Sequence, residues 1–118
     1  MTDLNASVQR VIAKSDTKLV QLKRKKGQLV NAYDIYIGRA CYRGGWNLSQ
    51  SDWHNPFKIT ECKNREDCLQ RYFDYLKKKP ELLSRLSELK GKIIGCFCKT
   101  GELCHGHVLL ALILYLKV

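Results

Sequence analysis

The chain has 118 residues, of which 21 are lysine or arginine and 11 acidic, giving a formal charge of +10 and a pI of about 9.5. That surplus favours a polyanion such as DNA or RNA as partner, against the plainer reading of a solvated basic surface. At this length, with 45% hydrophobic residues, one core is expected, so we assign an N-terminal arm or short helix at 1–16 and a single α/β domain at 17–118. The first sixteen residues hold no uninterrupted apolar stretch of the kind a secretory signal needs. The run VLLALILYL at 108–116 falls well short of the ~20 residues of a membrane span. The expectation is therefore a protein that is not secreted, engages no membrane, and works inside a host cell, in cytoplasm or nucleus, or inside a virion.

In chain order, only Val8, Val11 and Ile12 anchor the polar N-terminal segment. KLVQLKRKKG at 18–27 alternates Leu19, Val20 and Leu22 with polar or basic residues and stops at Gly27, which predicts a short strand and a turn. YDIYIGR at 33–39 places Tyr33, Ile35 and Ile37 at period 2 and predicts a second strand, with Gly38 freeing the backbone to turn. Residues 40–61 hold no period and read as a long loop, a common seat of function in a compact domain.

NREDCLQRYFDYLKKKP predicts a helix. Asn64 caps it, acids occupy its first turn, and Leu69, Tyr72, Phe73 and Leu76 form one apolar stripe. Pro80 then opens a second helix, PELLSRLSELKG, which buries Leu82, Leu83, Leu86 and Leu89 and stops at Gly91. KIIGCFC at 92–98 reads as a strand buried on both faces, and CHGHVLLALILYLKV as a closing helix. Strands separated by helices predict a layered α/β domain with a mostly parallel sheet of about three or four strands and flanking helices.

The stretches DIYIGR, SDWHNPF, LKGKIIGCFC and CHGHVL stand in the order of a pattern YIGR, tryptophan, NPF, two helices, GKxLGCxC and CHGDxL. The chain thereby resembles, over roughly 18–117, a family of domains found in bacteriophages, bacteria and large DNA viruses. The resemblance implies a small Rossmann-like fold and a viral or phage-type accessory protein, but no particular activity. Two departures stand out. Trp46 and Trp53 bracket an extra polar segment before NPF, and His107 replaces the usual aspartate, so no carboxylate role carries over to that position. Cys41, Cys62 and Cys68 match nothing in the pattern and are read as packing residues or redox bystanders, with Cys62 and Cys68 a remote second metal pair.

Three of the six cysteines and two of the three histidines fall in GCFCKTGELCHGH at 95–107. Alternation along a strand through residue 98 would aim Cys96 and Cys98 the same way. With Cys104 and His105 at the next helix start, these four residues would then suit tetrahedral Zn²⁺, and His107 is the alternative fourth ligand. Two other readings stay open. In one, Cys98 or Cys104 is a catalytic nucleophile with His105 or His107 as its base. In the other, the thiols pack as small hydrophobes and the histidines cap the helix.

These readings give the functional alternatives. The leading one is nonspecific nucleic-acid binding through Lys23, Arg24, Lys25, Lys26, Arg43, Lys77, Lys78 and Lys79. A second is an enzyme or sensor for a nucleotide or nucleoside, bound by Arg39, Asn55 and Trp53 at the strand ends. A third is a structural or host-interaction protein, with the apolar last helix forming a homodimer.

Overall fold

A computed structural model describes residues 10–98 and 102–116. Residues 10–14 are helical (α1), and Val11 and Ile12 pack on the core; Val8 and the rest of the expected arm at 1–9 lie outside the described residues.

The sheet is parallel and three-stranded, with β1 (Lys18–Gln21) and β4 (Ile35–Tyr36) flanking β5 (Ile93–Cys96). The last strand in sequence is therefore the central one. This explains its composition, because Ile94, Gly95 and Cys96 are buried between two strands and the layers above and below. Neither expected strand reaches its full length. β4 keeps two of the seven residues in YDIYIGR, although Asp34 N and Ile37 N continue the ladder by donating to Ile93 O and Gly95 O. Gly38 has no left-handed φ; instead, a Cβ there would collide with the Tyr36 phenol, whose hydroxyl donates to Arg39 O.

Between β1 and β4 the chain makes an antiparallel ribbon of β2 (Arg24–Lys25) and β3 (Gln28–Leu29). Its two-residue turn has both Lys26 (φ +53°) and Gly27 (φ +78°) in the left-handed region, the twist that a tight hairpin requires.

The helix α2 (Arg65–Lys77) starts as expected, with Asn64 Oδ1 accepting from Asp67 N at 2.8 Å. Leu69, Tyr72 and Leu76 are buried and Phe73 packs at the margin. Fully burying such a side chain contributes roughly 1.5–3 kcal/mol. The expected single helix over 80–91 is broken into α3 (Pro80–Leu83) and a 3-10 turn, Leu86–Glu88. Ser84 Oγ donates back to Glu81 O at the break, and Arg85 leaves helical geometry with ψ near 2°. Leu82, Leu86 and Leu89 are nevertheless buried, so the inward-facing leucines are kept while the backbone bends. Gly91, at φ +74°, ends the segment. Thr17, itself buried, clamps this end to β1: its hydroxyl donates to Leu89 O (3.0 Å) and accepts from Gly91 N (3.1 Å).

The closing helix α4 (His105–Leu116) packs against α2, the 3-10 turn and β1. Ile37, Tyr72, Leu86, Ile94, Leu109 and Leu110 share one core cluster across the layers. Among the described residues no helix is long and apolar enough to cross a membrane.

Candidate metal centre and strand-end cleft

The central strand stops at Cys96, the chain bends through Phe97, and Cys98 comes off the bend. Cys98 therefore joins Cys96 through this turn rather than by strand alternation. Cys104 immediately precedes α4, and the three sulfurs of Cys96, Cys98 and Cys104 lie within 4.8 Å of one another. Those of Cys96 and Cys104 are 3.1 Å apart and buried.

His105 ties this corner to β4. Its Nε2 lies 2.7 Å from Ile37 O; a carbonyl only accepts, so Nε2 carries the proton. Nδ1 is thereby left with its lone pair, 3.6 Å from Cys104 Sγ. His107 does something else. Its Nδ1 accepts from Cys104 N (3.0 Å) while its own N–H donates to Cys104 O (2.9 Å), a reciprocal cap on the first turn of α4. Burial holds the His107 imidazole below its usual pKa, consistent with a neutral acceptor. Gly106, between them, sits under Leu19 and Ile37; a Cβ would come within 2.7 Å of Leu19 Cδ1. The glycine of CHGH thus lets α4 approach the sheet closely enough for the sulfurs to meet.

The sulfurs divide the charge unequally. Hydrogen bonds from Cys104 and then Cys96 pull the Cys98 thiol well below its ordinary pKa against the opposing effect of burial. Cys104 is pushed up by its bonds to Cys96 and Cys98 and by burial. Cys96 is also pushed up: the bond to Cys104 acts the other way, but Cys98 and burial outweigh it. Cys98 is also only half-buried, whereas Cys96 and Cys104 are buried.

Cys96, Cys98 and His105 also line an open cleft of about 790 Å³ at the carboxyl ends of β4 and β5, together with Arg39 and Asn55. Arg39 donates through Nε (3.2 Å) and Nη2 (2.9 Å) to the backbone carbonyl of Asn55. Asp52, in the same loop, pairs with Arg85 at 3.0 Å. Asn55 Oδ1 accepts from Phe57 N (3.0 Å), the turn role of an Asn-Pro step. Trp53 does not line the cleft: it is 3% exposed in the core, where its carbonyl accepts from Tyr72 Oη at 2.6 Å. The large ring is buried and not offered to a ligand. His54 Nδ1 lies 2.7 Å from Ser51 O and takes no part.

The basic residues divide into two groups. Lys23, Arg24, Lys25 and Lys26 are exposed along the ribbon. Arg24 braces it by donating to Gly27 O and Gly45 O, with its guanidinium 5.6 Å from the Trp46 ring. Arg43 joins this group through the same turn, its carbonyl accepting from Trp46 N. Lys77, Lys78 and Lys79 belong to the far end of α2, where Lys77 pairs with Asp74 (3.5 Å) and Lys79 lies over Tyr75.

Two features escape the sequence reading. Cys62 and Cys68 form a disulfide, Cα to Cα 5.5 Å, across the start of α2. Their sulfurs are bonded to each other, which overturns the idea of a second metal pair; the six-residue separation flanking the Asn64 cap was the available signal. Lys58, Arg65 and Glu102 also line the cleft, with Arg65 Nη2 2.6 Å from Glu102 Oε2. Nothing local marks them, because they come from three separate segments.

A family profile described as a domain of unknown function, DUF4326, matches residues 20–114. An uncharacterized protein of Acanthamoeba polyphaga mimivirus is 44% identical over 101 residues, covering 80% of this chain and 77% of the viral protein. No solved structure matches significantly. From β1 through most of α4, and so including the thiol corner and its cleft, the chain belongs to the DUF4326 family.

Proposed function

We propose that this is a viral-type accessory protein that binds nucleic acid through its basic ribbon and is braced by zinc at the thiol corner. The observation carrying the nucleic-acid reading is the ribbon itself: both strands are exposed at every position, and four consecutive cations, Lys23 to Lys26, run up to its tip. A two-stranded ribbon is of a size that enters a duplex major groove. With a net charge of +10, each phosphate it neutralises releases counterions and makes binding salt-dependent. The test is the salt dependence of affinity for duplex and single-stranded oligonucleotides. Replacing Lys23, Lys25 and Lys26 by glutamate, with Arg24 kept as the brace, should weaken binding to all sequences alike. On duplex DNA the log-log slope should fall by about 2.7, from ~0.9 per contact. Equal affinity and slope in wild type and variant would remove the reading.

The zinc reading rests on ligand chemistry and spacing. Three clustered thiols and an imidazole whose lone pair is turned toward Cys104 are a set for tetrahedral Zn²⁺, and softness favours it over calcium or magnesium. Bond lengths of ~2.3 Å to sulfur and ~2.1 Å to nitrogen give a tetrahedral S···N edge of ~3.6 Å, equal to the distance between Cys104 Sγ and His105 Nδ1. The matching S···S edge is ~3.8 Å, so Cys96 and Cys104, now at 3.1 Å, would separate slightly. Four protein ligands make a closed, structural site. Protein purified without chelator should carry one equivalent of zinc, lost in Cys96→Ser; a metal-free wild type of unchanged stability would refute this.

A further inference from the structure

We propose that the strand-end cleft is a second binding site, separate from the ribbon, for a nucleoside monophosphate group. Four observations converge on it. It opens at the carboxyl ends of the two parallel strands β4 and β5, the position where open α/β sheets hold ligands. Its volume, about 790 Å³, falls within the ~300–1,000 Å³ of small-molecule sites. Its charge favours an anion: Arg65 is neutralised by Glu102, whereas Arg39 and Lys58 carry no ion pair among the described residues. Arg39 is held by two bonds to the Asn55 carbonyl through Nε and Nη2, which leaves Nη1 for a phosphate oxygen at little entropic cost.

The remaining lining selects a flat ring on the anion. Tyr36, Phe57 and Phe97 bring aromatic side chains to the cleft, and any base has a π-face to stack on them. Asn55 uses Oδ1 on Phe57 N, so its amide NH₂ remains as a donor toward a base or ribose. A smaller recess of about 90 Å³, which shares Asn55, Phe57, Arg65, Cys98 and His105 with the cleft, continues inward beside the thiols. Anion, ring and hydrogen-bond acceptor together describe a nucleotide better than inorganic phosphate or a dicarboxylate. Such a group exists both as a free mononucleotide and as the 5′-phosphorylated end of a strand, and the cleft chemistry is common to both.

The test is isothermal titration of full-length, metal-replete protein with the four common nucleoside monophosphates, adenosine, inorganic phosphate and a 5′-phosphorylated dinucleotide. At least one monophosphate should bind at least about tenfold more tightly than either adenosine or phosphate alone. The dinucleotide distinguishes the sources: tighter binding than the monophosphate points to a strand end, equal or weaker binding to a free nucleotide. Lys58→Glu, at an exposed side chain with no structural bond, should cost at least about tenfold in affinity. Arg39→Lys, which keeps the charge and loses the fork, should cost a similar amount where Arg39→Ala risks the loop. The triple ribbon variant should bind mononucleotide like wild type, so failure of the ribbon reading leaves this one standing. Absence of millimolar or tighter binding by every compound, or binding indifferent to both Lys58→Glu and Arg39→Lys, would overturn the proposal.

Discussion

The ribbon and the thiol corner are built in opposite ways. The ribbon closes on itself: Val30 N donates to Lys23 O, two residues with positive φ make the turn, and Arg24 braces it to Gly27 and Gly45. Its side chains face solvent, so the element contributes charge and little burial. The thiol corner is instead buried at Cys96 and Cys104, and four parts of the fold meet there. Cys96 comes from the central strand, Cys98 from the bend and Cys104 from the helix cap, while Ile37 O at the end of β4 fixes the His105 tautomer. A charged patch can thus be written in a few adjacent residues, whereas a ligand set depends on how the layers pack. Substitutions should accordingly damage function alone in the ribbon and stability first in the corner.

The largest expected effect is at the proposed metal site. Structural zinc at the proposed site would contribute on the order of 10–16 kcal/mol of apparent binding energy, comparable to or larger than a typical domain's net stability of ~5–15 kcal/mol. Cys104→Ser, or chelation of the wild type, should therefore lower Tm by tens of degrees or abolish the calorimetric transition. A chelator-treated protein with an unaltered transition would erase the contrast drawn above. Next in size is the packing that brings α4 to the sheet. Gly106→Val pushes a branched side chain against Leu19 and Ile37 and should cost about 1–3 kcal/mol, read in urea unfolding, together with greater sensitivity to chelator.

The two histidines then sharpen the comparison. His107→Ala removes the cap on Cys104 N, about 1 kcal/mol, and should keep its zinc. His105→Ala should weaken zinc retention in a competition assay, and the reverse ranking would move the fourth ligand to His107. The smallest stability effect belongs to the ribbon. Each of Lys23→Glu, Lys25→Glu and Lys26→Glu should stay within about 0.5 kcal/mol while oligonucleotide affinity falls; a ribbon variant that unfolds would show that this element is part of the fold's support.

Some of this was legible residue by residue. Asn64 followed by acids and a Leu69, Tyr72, Leu76 stripe specifies α2, because cap and periodicity are local properties. KIIGCFC announced a buried strand, but not that it would be the central one. The break after Leu83 was hidden, since the leucine spacing at 82, 86 and 89 suits a continuous helix as well as a bent segment. Asn55 was expected to offer its whole side chain; its carbonyl holds Arg39 and its Oδ1 closes a turn, which leaves only the amide NH₂. Trp53 was expected at the ligand; Tyr72 and the surrounding core bury it. Neither assignment can be made without knowing which residues the loop over 40–61 folds against.

Taken alone, the sequence determined the charge, the α/β class and the crowding of thiols and imidazoles near the C-terminus, since all three follow from composition and short-range spacing. Tertiary structure decided which imidazole turns toward the sulfurs, that Cys62 bonds Cys68, and that Arg39, Lys58 and Cys98 share one cleft. Those outcomes depend on β5 lying between β1 and β4 and on α4 settling over Gly106. They are contacts between segments far apart in the chain, and loop closure and close packing, rather than local preference, select among them.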